Sequence, residues 1–104
     1  MSSYLEKCIK YNEIEDLLKI VNKDNINIPD EYETYPIFYA VFLGHINIVK
    51  LFLDLGANPT LKDKNDRIPI FYTTDIDIIK LILEFSKIPN YINTARNKLG
   101  NTVL

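Results

Sequence analysis

The stretch Asp30-Glu-Tyr-Glu-Thr-Tyr-Pro-Ile-Phe-Tyr39 recurs 33 positions later as Asp63-Lys-Asn-Asp-Arg-Ile-Pro-Ile-Phe-Tyr72. Asp, Pro, Ile, Phe and Tyr occupy the same offsets in both blocks. A third copy opens 34 positions further on, at Asn97-Lys-Leu-Gly-Asn-Thr-Val-Leu104. Downstream of the two full blocks, Ile48-Val-Lys-Leu-Phe-Leu-Asp54 matches Ile78-Ile-Lys-Leu-Ile-Leu-Glu84. A looser copy, Ile14-Glu-Asp-Leu-Leu-Lys-Ile-Val21, lies upstream. Chance is a poor explanation for two matched blocks in one period. A period of this length marks an array of small units, each burying its apolar faces against its neighbours.

Within a unit the residue types have mechanical reasons. Asp30 opens a turn, and Pro36 has the fixed φ that suits the first turn of a helix. Phe38, Ala40, Val41 and Phe42 predict a short, almost wholly apolar helix, broken at Gly44-His45. A second helix is predicted from Ile46 to Leu55. Gly56 ends it in a left-handed conformation, and Pro59 keeps it from continuing. Lys50 and Asp54 are spaced to pair on an exposed face, and Lys80 and Glu84 repeat the spacing. The other positions are apolar on more than one side, so such a helix needs neighbours on both flanks.

The run from Tyr35 to Asn58, Tyr-Pro-Ile-Phe-Tyr-Ala-Val-Phe-Leu-Gly-His-Ile-Asn-Ile-Val-Lys-Leu-Phe-Leu-Asp-Leu-Gly-Ala-Asn, resembles the ankyrin repeat. That family's pattern runs Thr-Pro-Leu-His, Ala-Ala, Gly-His, Ile-Val, Leu-Leu, Gly-Ala-Asp/Asn over about 33 residues. The resemblance implies an all-α solenoid of helix-turn-helix units joined by hairpin-like loops, with little or no sheet. It also implies units at 1–29 (an N-terminal cap), 30–62, 63–96 and the start of another at 97–104. Thr102-Val103-Leu104 resembles the next Thr-Pro-Leu-His block, with Gly100 at the family's turn glycine. Cys8 falls where the family has a small packing alanine, and His45 where a histidine ring bonds the backbone of the interhelical loop.

The departures from the pattern carry their own expectations. Tyr35 and Ile68 stand in place of the family's Thr, and Phe38 and Phe71 in place of its His. The polar pair that tethers the turn is therefore missing, and apolar packing is expected in exchange. The third unit lacks about three residues between its helices, so its first helix must be shortened. Thr74 with Asp77 resembles a capping box that starts the second, as Ser3 with Glu6 does for the first unit. Ser86 to Tyr91 is expected to be a longer, irregular loop. Glu6, Lys7, Lys10 and Glu13 give the first unit the polarity of a terminal repeat, whereas the other end lacks a cap. That end is expected to be covered by more chain, a partner or a second copy.

Composition narrows the function. The 104 residues are 47% hydrophobic and 25% charged, with a net charge of −2. Intrinsic disorder is excluded as the main state, and a clustered basic footprint for nucleic acid or anionic lipid is missing. The longest mostly apolar run is too short for a membrane span. One cysteine, one histidine and no obvious signal segment point to an intracellular protein without a Cys/His zinc site. Asp24, Asp30, Glu31 and Glu33 lack calcium-loop spacing, and the scattered glycines form no phosphate cradle. Lys62, Lys64 and Arg67 are offset by Asp63 and Asp66. No catalytic residue, metal or cofactor is therefore expected.

What is left is recognition of a protein. By position, the resemblance puts partner contacts at Glu31, Tyr32, Thr34, Phe42, Leu43 and Leu55 in the second unit. In the third they fall at Lys64, Asn65, Arg67 and Phe85, and in the fourth at Lys98, Leu99 and Asn101. The foremost are Tyr32, Thr34, Phe42, Leu43, Lys64, Asn65 and Arg67, on a concave surface of turns and first helices. The alternatives are an interaction segment of a larger adaptor or enzyme, for example a ubiquitin-ligase substrate adaptor, and a homodimer through the open end.

Overall fold

The computed structural model describes residues 2–86. Helices come in pairs: α1 (Ser2–Lys10) with α2 (Ile14–Ile20), and α3 (Pro36–Leu43) with α4 (Ile46–Asp54). The third pair is a 3₁₀ helix, Pro69–Tyr72, with α5 (Ile76–Ser86). Among the described residues there is no strand. α3 packs on α1 at one side and on the 3₁₀ helix at the other, while α4 packs on α5. The chain is thus a stack of units laid first helix on first helix.

α3 shows why stacking is obligatory. Pro36, Ile37, Phe38, Ala40 and Val41 are all buried, on several sides of eight residues. A helix this short is marginal alone in water, and this one has no polar face to hydrate. Ile48, Val49, Phe52, Ile78 and Ile82 are likewise shut off from solvent, each burial worth about 1.5–3 kcal/mol. The third unit departs as its missing residues require: Pro69–Tyr72 manages only one 3₁₀ turn before Thr73 becomes extended.

Three helices end in the same hydrogen-bonded motif. After α4, Gly56 N–H donates to Leu53 and Ala57 N–H to the Phe52 carbonyl, at 3.0 and 2.9 Å, with Gly56 at φ +98°. After α3, Gly44 (φ +76°) and His45 donate to Val41 and Ala40 in the same pattern. After α1, Asn12 (φ +57°) and Glu13 donate to Ile9 and Cys8. These pairs satisfy the last carbonyls and reverse the chain. Asn12 is therefore the first unit's counterpart of Gly44. Asn bridges then set the spacing between units: Asn47 Nδ2 donates to Asn12 Oδ1 at 2.8 Å. Asn27 accepts from Asn58 N–H and donates to the Gly56 carbonyl.

The turn blocks repeat bond for bond. Asp30 Oδ1 accepts from the N–H groups of Tyr32 and Thr34, and Asp30 N–H donates to the Thr34 carbonyl. Asp63 does the same with Asn65 and Arg67. The other carboxylate oxygen accepts the Tyr39 hydroxyl in one unit and the Tyr72 hydroxyl in the next. This corrects the expectation that apolar packing alone replaces the family's Thr–His tether. An Asp–Tyr bond ties each turn to its helix, while Phe38 fills the core and meets Tyr72 edge-on at 5.8 Å.

Several local expectations are revised. α5 is capped by Asp75 and not by Thr74: Asp75 Oδ1 accepts from Asp77 and Ile78 N–H. Ser3 lies within α1 and not ahead of it. The His45 ring makes no capping hydrogen bond. Lys50 and Asp54 pair at 3.2 Å, whereas Lys80 and Glu84 stay outside ion-pair distance, as the small energy of exposed pairs permits. The fourth unit and the loop residues 87–91 lie outside the described residues.

Two outcomes test this account of the turns in urea unfolding. Tyr72→Phe should cost about 1 kcal/mol and Asp63→Ala about 2 kcal/mol, because the latter also loses the two bonds that close the turn. The double variant should cost less than the sum; full additivity would contradict the tether. Glu33 sits at φ +58°, so Glu33→Gly should raise stability by about 0.5–1 kcal/mol by removing the left-handed penalty. A loss there would contradict the strain.

Candidate functional site

Cavities open on the described surface beside the turns and first helices. One of about 250 Å³ lies between α3 and the Asp63 turn, lined by Glu6, Thr34, Phe38, Tyr39, Phe42, Asp63, Lys64, Asn65 and Tyr72. A neighbour of about 330 Å³ is bounded by Glu6, Lys7, Lys10, Tyr11 and Leu43. Glu6 lines both, so the two adjoin there and together make up a groove across the first helices, from α1 to the Asp63 turn. A smaller one, about 170 Å³, is set by Leu5, Ile20, Val21, Ile28, Pro29 and Pro36 where the second unit begins. Each is of a size to take single side chains, two of them below and one just above the lower bound of about 300 Å³ for small-molecule sites.

The groove's shape follows from the stack. α3 turns its buried side to the core and leaves Phe42 70% exposed on the other. Phe42 does not fold under the neighbouring turn. Leu43 is half-buried and packs partly against the core. The Asp63 turn carries Lys64 and Asn65 to the rim, and the Asp63–Tyr72 bond holds that turn beside Tyr39 and Phe42.

Of the residues expected to bind, Thr34, Phe42, Lys64 and Asn65 line one cavity and Leu43 the other. Tyr32 is 56% exposed at the tip of its turn but lines neither. Arg67 is exposed, its backbone N–H held by Asp63. Leu55 and Phe85 pack against the core, and Lys98, Leu99 and Asn101 lie outside the described residues. Sequence reasoning missed Tyr39, Tyr72, Glu6, Lys7, Lys10 and Tyr11. Once Asn12 is aligned with Gly44, Lys7, Lys10 and Tyr11 fall at the positions of Tyr39, Phe42 and Leu43. That alignment is the signal that could have found them.

Beyond the groove, the Cys8 sulfur and the Glu13 and Asp16 carboxylates lie within 4.8 Å of one another, close enough to share an ion. Cys8 is fully buried and Asp16 already faces Lys19 at 3.5 Å. The Tyr4 phenol is held above the ordinary range, mainly by a hydrogen bond with Cys8 that favours its neutral form. The negative potentials of Cys8, Asp16 and Glu13 and slight desolvation add to it. Among the described residues no helix is long and apolar enough to cross a membrane.

Residues 33–64 match the ankyrin repeat family model. Over 51 residues the chain is 45% identical to an ankyrin repeat protein of Acanthamoeba polyphaga mimivirus. That match covers 49% of this chain and 7% of the relative, so the chain spans a small part of the length of the relative it matches.

The Tyr4 contact predicts a pH effect with a definite sign. A raised phenol favours the neutral form in the folded chain, so its contribution is present below the ordinary phenol range and lost as alkali ionises it. In an NMR titration Tyr4 should ionise above the ordinary range, and Cys8→Ala should bring it down. An unchanged titration in the variant would remove Cys8 as the cause.

Proposed function

We propose that this chain, which belongs to the ankyrin-repeat family, binds a protein partner in the groove across its first helices, with Phe42 as the anchor. Ankyrin repeats are in general protein–protein interaction modules, and this gives the coarse role. The observation that carries the finer reading is Phe42, a large aromatic ring 70% exposed at the mouth of a cavity walled by Tyr39 and Tyr72. Aromatic groups in pockets at the centre of a contact contribute most of the binding energy. Thr34, Leu43, Lys64 and Asn65 frame the same groove, while Tyr32 and Arg67 lie exposed on their turns outside it. The binding is non-catalytic and needs no cofactor.

An intracellular setting belongs to this reading, since the only thiol is unpaired and buried. A second reading rests on the length of the mimiviral relative: the chain acts as an interaction segment of a longer array or adaptor. Both readings use the same groove.

Site-specific photocrosslinking separates the two sides of the molecule. A crosslinking side chain at Phe42 should capture protein, and one at Lys50, on the exposed side of α4, should not. Capture from Lys50 with none from position 42 would move the contact surface to the second helices.

A further inference from the structure

We infer that the groove selects a peptide segment in which a large apolar residue is accompanied by Asp or Glu; this rests on the groove reading above. The chain as a whole is acidic, with a net charge of −2, yet its groove is not. Lys7 and Lys10, three residues apart on α1, line one cavity, and Lys64 lines the other. None of them belongs to an ion pair among the described residues, where the pairs are Lys19–Asp16, Lys50–Asp54 and Lys62–Asp66.

The groove's own carboxylates do not balance these cations. Asp63 keeps its negative charge while it accepts two backbone N–H groups and the Tyr72 hydroxyl. With Glu6, which lines both cavities, that sets two carboxylates against three lysines and leaves the groove with one positive charge in excess. Glu31 and Glu33 are at the tip of the preceding turn and line neither cavity.

The arrangement sets the order of groups along the bound segment. Its apolar side chain enters beside Phe42, in the cavity walled by Tyr39 and Tyr72. Its carboxylate lies toward the first unit, over Lys7 and Lys10, where Tyr11 adds an aromatic edge and carries the Lys10 ammonium 5.7 Å above its ring. Exposed charge pairs add little affinity singly, so the lysines act mainly on selectivity and on association rate. A basic or charge-neutral segment would fill the apolar cavity and leave the cations unanswered.

The test uses the whole chain as bait for a displayed library of short random linear peptides, counter-selected against Phe42→Asp. Enriched peptides should pair a large apolar residue with Asp or Glu and bind more weakly as salt rises. Lys7→Glu/Lys10→Glu, both exposed positions, should lose about tenfold in affinity for them and enrich basic peptides in their place. Peptides that need Phe42 but show no acidic bias, or bind the double-Glu chain equally well, would overturn this inference and leave the groove standing. If no peptide distinguishes the wild-type chain from Phe42→Asp, the groove reading itself fails.

Discussion

Everything in this molecule depends on helices that are apolar on too many sides to stand alone. α3 buries Pro36, Ile37, Phe38, Ala40 and Val41 over more than half of its eight residues, on more than one flank. Nothing within one unit can cover all of them. The remedy is a neighbour on each flank, which makes the unit-to-unit contact the true core. Ala40, fully buried, keeps its side chain small where helices crowd. The turn bonds, helix caps and asparagine bridges then keep one unit aligned with the next.

That alignment creates the groove as a by-product of packing. The Asp–Tyr bonds, nine residues apart in both units, fix each turn to the first helix and stand its tip away from the core. Side chains the core does not need, Lys7, Lys10 and Phe42 among them, are left along one side. With Phe38 in the interior where the family pattern has a histidine, the polar tether moved one residue on, to Tyr39. The unit kept its geometry with different chemistry.

Much of this was legible because it is local. The matched blocks, Pro36 at a helix start, Gly44 and Gly56 at helix ends and the shortened helix before Thr73 all follow from neighbours in sequence. The Asp–Tyr bond was only half legible. Asp30 and Tyr39 recur as Asp63 and Tyr72, but whether they meet depends on how far the helix has rotated when it reaches the tyrosine. Asn12 hid its equivalence to Gly44 because a different residue adopts the same left-handed turn, and Lys7, Lys10 and Tyr11 stayed hidden with it. Thr74 and Asp75 are both good caps, and spacing alone does not choose between them. Thr34, Phe42, Leu43, Lys64 and Asn65 were placed in the groove by family position, whereas Tyr32 and Arg67 reached only its surroundings.

The central claim, that a unit is helical only when stacked, is open to a direct measurement. Far-UV circular dichroism is recorded for the whole chain and for a synthetic peptide covering residues 30–62. The whole chain should show strong helical bands that melt cooperatively, and the peptide a coil-like spectrum without a transition. A peptide that is monomeric, helical and cooperatively melting would show that the unit folds without neighbours, and the account of the core would be wrong.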